Sequence, residues 1–157
     1  MRPLLYVETS VVSYLTGRQS QDLIVAAHQE LTRKWWRERG GRFDLVISEL
    51  VYREASGGDP EAAGARVAAL DGLRLLKIGE DAFSLAERLL AKGPIPRPYA
   101  EDALHIAVAA VNGVDYLLTW NCRHLANAAH RAIVEGIVEA AGYACPIICT
   151  PEELMED

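Results

Sequence analysis

An α/β fold, with a mostly parallel sheet of about five strands and helices on both faces, is the expectation for this chain. Three observations set it. Short apolar runs alternate with helical stretches along the whole length, the pattern of strand–helix–strand units. The apolar runs are continuous rather than alternating, as strands covered on both faces are. No linker, repeat or low-complexity tract interrupts the order, so 1–157 reads as a single domain. At 17.2 kDa such a domain buries roughly 70% of its unfolded surface on folding.

The elements follow in order. Leu4-Leu5-Tyr6-Val7 is a run of strand formers that ends at Glu8-Thr9-Ser10, where hydroxyl side chains are suited to cap a following helix. Val11 to Leu15 continues as a short helix before Gly17. Gln21 to Arg39 is a long helix, with Leu23, Ala26, Ala27, Leu31 and Trp35 at helical spacing and Gly40-Gly41 as its stop. Phe43 to Ile47 reads as the second strand, and Ser48 opens helical turns running to Glu54. Asp59-Pro60-Glu61 is a helix start, with a capping acid, a proline in the first turn and another acid near the positive end of the dipole. That helix runs to about Leu70. Leu73 to Ile78 is the third strand and Glu80 to Ala91 a helix. Gly93-Pro94-Ile95-Pro96-Arg97-Pro98 is too proline-rich for a helix or a central strand and reads as a stiff loop. Tyr99 to Val111 is helical, Val114 to Thr119 the fourth strand, Ala128 to Ala141 helical and Pro146 to Cys149 the fifth strand. Pro151 to Leu154 starts a last turn of helix.

Sixteen basic residues against 22 acidic ones give a formal charge of −6. That argues against a simple cationic nucleic-acid sleeve, but not against an enzyme whose carboxylates hold metal ions. Cys122, Cys145 and Cys149 are too few and too irregular for a disulfide framework, and they lack partners at zinc spacing. No run approaches the roughly 20 apolar residues of a membrane span. Glu8 comes too early for a signal peptide. The expected setting is the reduced cytoplasm.

In open parallel sheets the working crevice lies beyond the carboxyl ends of the strands. Glu8, Thr9 and Ser10 follow the first strand. Ser48 and Glu49 follow the second, with Glu54 further along. Thr119, Trp120 and Asn121 follow the fourth. Glu101 and Asp102 sit in the first turn of the helix after the proline-rich loop. Carboxylates gathered at one place repel each other unless a cation intervenes. Hard oxygen ligands select Mg²⁺ or Mn²⁺ over zinc.

These same residues carry a family resemblance. Tyr6 to Leu15 resembles the opening motif of PIN domains. Ile47-Ser48 to Glu54 and Gly57 resembles their second motif, with an acid six residues after a strand-end Ser. Asp102-Ala103-Leu104-His105-Ile106-Ala107 is similar to the third, and Leu117-Leu118-Thr119-Trp120-Asn121 to the fourth. Pro146 to Leu154 resembles the closing strand and turn. The match spans essentially the whole chain. It implies a PIN-like fold and a Mg²⁺- or Mn²⁺-dependent endoribonuclease, most similar by size and organisation to VapC-like toxins of bacterial type II toxin–antitoxin pairs. A cognate antitoxin and a homodimer come with that resemblance.

On this reading Glu8, Glu54 and Asp102 form the acidic metal site, and Glu49 falls to a secondary role. Glu8 and Asp102 would hold the ion, with Glu54 orienting water and Asn121 and Thr119 completing the catalytic set. Thr9, Ser10 and Arg123 are the candidates for RNA or phosphate. Two positions depart from the family pattern: the first acid is Glu8 rather than Asp, and the fourth-motif acid is Asn121. The alternative is therefore a weakened PIN-type module that binds RNA or an antitoxin without efficient cleavage. Glu101, about 100° around the helix from Asp102, reads as a rim residue. His105, one turn below Asp102, reads as a packed histidine bonded to its neighbours. Further basic candidates for RNA are His124 and Lys34-Trp35-Trp36-Arg37, with Trp36 as the more exposed ring. A phosphoryl-accepting signalling domain would need paired acids after the first strand and a closing Lys, whereas here Glu8 stands alone and Cys149-Thr150 ends the sheet. A nucleotide-binding enzyme would need a glycine-rich phosphate loop, which the sequence lacks.

Overall fold

The structure, a computed structural model, describes residues 1–155. Five strands, β1 (Leu4–Val7), β2 (Asp44–Ser48), β3 (Arg74–Leu76), β4 (Tyr116–Leu118) and β5 (Ile147–Cys149), form one sheet in the order β3-β2-β1-β4-β5. Every pairing is parallel, with Tyr6 beside Val46 on one side and Leu117 on the other. Leu5, Tyr6 and Val7 on the central strand are all fully buried. Successive side chains on a strand point to opposite faces, so both faces of β1 are covered.

Seven α-helices do the covering among the described residues: α1 (Thr9–Thr16), α2 (Leu23–Glu38), α3 (Glu49–Ala55), α4 (Pro60–Ala69), α5 (Glu80–Lys92), α6 (Ala100–Val111) and α7 (Ala128–Ala140). α1 packs on α2, α3 and α4, while α5 packs on α6 and α7. From β1 the chain builds outward through β2 and β3, then returns to place β4 on the other side of β1. This reversal is a topological switch point, and it opens a crevice beyond the carboxyl ends of β1 and β4.

Several expected boundaries move, each for a physical reason. α1 starts at Thr9 and is capped by the Glu8 carboxylate, which accepts from Ser10 N–H. The hydroxyls expected to cap it are engaged elsewhere. α2 starts at Leu23 because Asp22 accepts from the N–H groups of Ile24 and Val25. The outer strands β3 and β5 pair with one neighbour each, and β3 is trimmed to three residues. Within the proline-rich loop Arg97–Tyr99 forms a 3₁₀ turn that feeds α6. After β5 there is a turn rather than a helix. Thr150 N–H donates to the Glu153 carboxylate at 3.0 Å, and Glu153 N–H donates to Thr150 Oγ1 at 3.3 Å.

Candidate metal and nucleic-acid site

Glu8 leaves β1 directly into the crevice. It is 6% exposed, yet among the described residues its carboxylate accepts only from neutral donors. Ser10 Oγ and Thr119 Oγ1 both donate to Glu8 Oε1 at 2.5 Å, and Ser10 N–H donates to Oε2 at 3.1 Å. Trp120 N–H donates to Ser10 Oγ at 2.8 Å, and Asn121 N–H to Thr119 Oγ1 at 2.9 Å. The ends of β1 and β4 are thus stitched together around one buried negative charge.

Glu54 enters from α3. Its Oε1 accepts from Thr9 Oγ1 at 2.6 Å and meets His105 Nε2 at 2.7 Å. His105 is 1% exposed, and its Nδ1 bonds Tyr6 Oη at 2.7 Å, which in turn meets Ser48 Oγ at 2.7 Å. A continuous hydrogen-bonded chain therefore runs Ser48–Tyr6–His105–Glu54–Thr9, buried from Ser48 to His105. Burial alone would raise the Glu54 pKa, but the hydrogen bond from His105, the charge of His105 and the Thr9 hydroxyl outweigh it and bring it down to about 2. Burial opposes charge on His105, while its bond to Glu54 and the nearby Glu8, Glu54 and Asp102 carboxylates raise its pKa overall. Burial likewise pushes the Tyr6 hydroxyl well above the ordinary phenol range, so it stays protonated.

Ligand atoms of Glu8, Glu54 and His105 all lie within 4.8 Å of one another. Both His105 nitrogens are already hydrogen-bonded, which makes the carboxylates the available donors. Asp102 falls outside this tight group. Its Oδ2 meets His124 Nδ1 at 2.8 Å, and His124 is 5% exposed. Asn121 closes the turn beneath, with its Oδ1 accepting from His124 N–H at 3.0 Å.

The structure places Glu8 beside both Glu54 and Thr119, and joins Asp102, in the first turn of α6, to Asn121 after β4 through His124. Thr9 and Ser10, expected to meet phosphate, direct their hydroxyls to Glu54 and Glu8. Arg123 lies over the Tyr99 ring, 5.7 Å from its centroid. Glu101 stays on the rim but leans inward. The nearby Glu54 carboxylate raises its pKa, and it faces Arg53 at 3.6 Å. The expected Lys34–Arg37 surface stands elsewhere, since Trp36 lines a cavity with Leu4, Phe43 and Asp44 at the amino ends of the strands. The roles of Tyr6 and His124 were missed. For His124 the signal was its place in the turn after the fourth motif. Nothing in the spacing indicated the pairing of Tyr6 with His105.

The two carboxylates suit a hard divalent cation. They are gathered and pre-oriented by hydroxyls, and no Lys or Arg forms an ion pair with either among the described residues. Similar folds occur among solved structures. The Mycobacterium tuberculosis toxin VapC20, which cleaves the sarcin–ricin loop, has a TM-score of 0.60 at 18% identity, covering 89% of this chain and 96% of that one. VapBC2 from Rickettsia felis, bound to a DNA fragment from its promoter, has a TM-score of 0.54 at 15% identity, covering 76% and 89%. No protein-family model and no curated protein matches the chain. The α/β fold is PIN-like, as in these VapC structures.

Proposed function

We propose that this protein is a Mg²⁺- or Mn²⁺-dependent endoribonuclease and the toxin of a bacterial toxin–antitoxin pair. The observation that carries the reading is the gathering of buried Glu8 and half-buried Glu54 at the switch point, with no Lys or Arg paired to either among the described residues, on a fold like that of VapC20. Two carboxylates this close, with Asp102 joined to the turn after β4 through His124, repel each other, and the repulsion would be relieved by a cation. Glu8, Glu54 and Asp102 are the residues that would hold it. Such an ion supplies Lewis-acid stabilisation of charge on a phosphodiester and activates water.

The chain's own residues prepare the site. Ser10 and Thr119 fix Glu8, Thr9 and His105 fix Glu54, and His124 fixes Asp102. Hydrogen bonds of this kind orient ligands, and losing one typically costs 10–100-fold in metal affinity or activity. His105 acts through Glu54, with Tyr6 and Ser48 holding its far nitrogen. Asn121 supports the turn that carries His124, its Oδ1 accepting the His124 N–H.

A homodimer is proposed on the family resemblance alone, and an antitoxin partner, supported by the likeness to VapBC2, belongs to the same proposal. So does a cytoplasmic setting, which suits three free cysteines. No helix among the described residues is long and apolar enough to cross a membrane.

The test is cleavage of a structured RNA during a Mn²⁺ titration, repeated with Asp102→Asn. Metal-dependent cleavage that falls at least about 100-fold in the variant supports the enzyme. Equal cleavage in both sinks it. Asn121 favours a second reading, a weakened module, because its Oδ1 is engaged by His124 and it brings no charge. RNA binding by the wild type without cleavage at any Mn²⁺ concentration would select that reading.

A further inference from the structure

A stack of planar side chains leads from solvent down to Asp102. Tyr99 closes the 3₁₀ turn before α6 and is 43% exposed. Its ring packs on His124 with centroids 4.3 Å apart and planes tilted by 51°. The Arg123 guanidinium lies over the same ring. His124 holds Asp102 at 2.8 Å. The stack is therefore joined to a carboxylate of the proposed metal site by direct contacts.

Charge separates Arg123 from its neighbours. Arg53 faces Glu101 at 3.6 Å, and Arg97 is bound to Glu87 at 2.7 Å. Arg123 has no carboxylate partner among the described residues and is exposed. An exposed ring carrying an uncommitted guanidinium, beside carboxylates that await a cation, suits a ligand with both a flat aromatic face and negative charge. Nucleobases of single strands stack on aromatic rings and on guanidinium planes. The adjoining phosphate takes the arginine's hydrogen bonds.

We propose that Tyr99 and Arg123 form a subsite for one unpaired nucleobase of a single-stranded RNA segment, next to the phosphate that is cut. The inference rests on the ribonuclease reading and adds where the substrate is gripped. Base-paired RNA lacks the free base face that this stack needs, so the subsite favours loops and unpaired segments.

The experiment uses the full chain and a fluorescein-labelled single-stranded oligoribonucleotide carrying one 2-aminopurine. Binding is followed by anisotropy in Ca²⁺, with gels confirming that the oligonucleotide stays uncut. Tyr99→Ala is expected to weaken binding about tenfold, and Tyr99→Phe to stay within about twofold, because the ring stacks and the hydroxyl does not. Arg123→Gln is expected to weaken binding several-fold and to lower the salt slope by about one. This second variant carries the test if Tyr99→Ala folds poorly by circular dichroism. Mn²⁺ affinity, read by electron paramagnetic resonance, stays within about twofold in both variants. A parallel loss of Mn²⁺ affinity would assign the ring to holding His124 and overturn the subsite. If the wild type cuts RNA while both variants bind it unchanged, the subsite falls, the stack is left to a protein partner, and the ribonuclease reading stands. A wild type that neither binds nor cuts RNA overturns both.

Discussion

The two ends of the sheet solve opposite problems. At the amino ends of the strands lies a shallow cavity of about 650 Å³, lined by Leu4, Trp36, Phe43 and Leu45. Two acids at this end are paired: Asp44 with Arg2 at 2.9 Å, and Asp115, which accepts Leu4 N–H at 2.8 Å. Trp35, Phe43 and Tyr116 interlock beneath it. At the carboxyl ends Glu8 and Glu54 are brought together with no Lys or Arg paired to either among the described residues, His105 alone facing Glu54. The difference lies in how charge is arranged: paired acids close the amino end, whereas on the proposed reading a cation would complete the carboxyl end.

The sharpest way to break this contrast is to damage the amino end. Trp35 is fully buried, and Trp35→Ala should cost about 3–5 kcal/mol of stability in urea melts. Its Mn²⁺ affinity, measured where the variant is folded, should stay within about twofold of wild type. A large loss of metal affinity would mean the two ends are coupled. The mirror experiment is Thr119→Val, which keeps the shape and removes the hydroxyl donating to Glu8. Mn²⁺ affinity should fall about 10-fold or more by calorimetry, while unfolding should shift by only about 1 kcal/mol.

A smaller effect comes from the Glu54–His105 pair in metal-free protein. The folded pKa of Glu54 is depressed to about 2, so its contribution is present above the ordinary value of 4.5 and is lost as pH falls toward 2. The folded pKa of His105 is raised, so its contribution is present below 6.5 and is lost as pH climbs through the higher folded value. The pair is at full strength between about 4.5 and 6.5. Unfolding free energy should decline on either side of that window, by on the order of 1 kcal/mol given the partial solvent exposure of Glu54. Glu54→Gln should flatten the profile. An unchanged profile in the variant would remove the pair from the account.

Much of this arrangement was legible in the sequence because it depends on local order. Alternating apolar runs and helix signals gave the sheet, and acids following strands pointed to its carboxyl edge. Glu8 was visible because an acid directly after a buried strand has nowhere else to go. Glu54 needed the family spacing, since its position on α3 says little by itself. The contacts that tune the site were hidden. Tyr6 with His105, and Asp102 with His124, pair side chains 99 and 22 residues apart. Such pairings depend on how the helices settle on the sheet and not on any spacing along the chain. The bonds of the Thr9 and Ser10 hydroxyls to Glu54 and Glu8 were hidden for a similar reason. Cap residues look alike in sequence whether their oxygens serve a helix or a neighbouring carboxylate.

The central claim is that the carboxyl end of the sheet holds a divalent cation through Glu8 and its neighbours. Titrating Mn²⁺ into wild type and Glu8→Gln, with free Mn²⁺ read by electron paramagnetic resonance, tests it most directly. The account predicts saturable binding by the wild type and affinity at least about 100-fold weaker in the variant. Equal binding by the two proteins, or no saturable binding by the wild type, would contradict it.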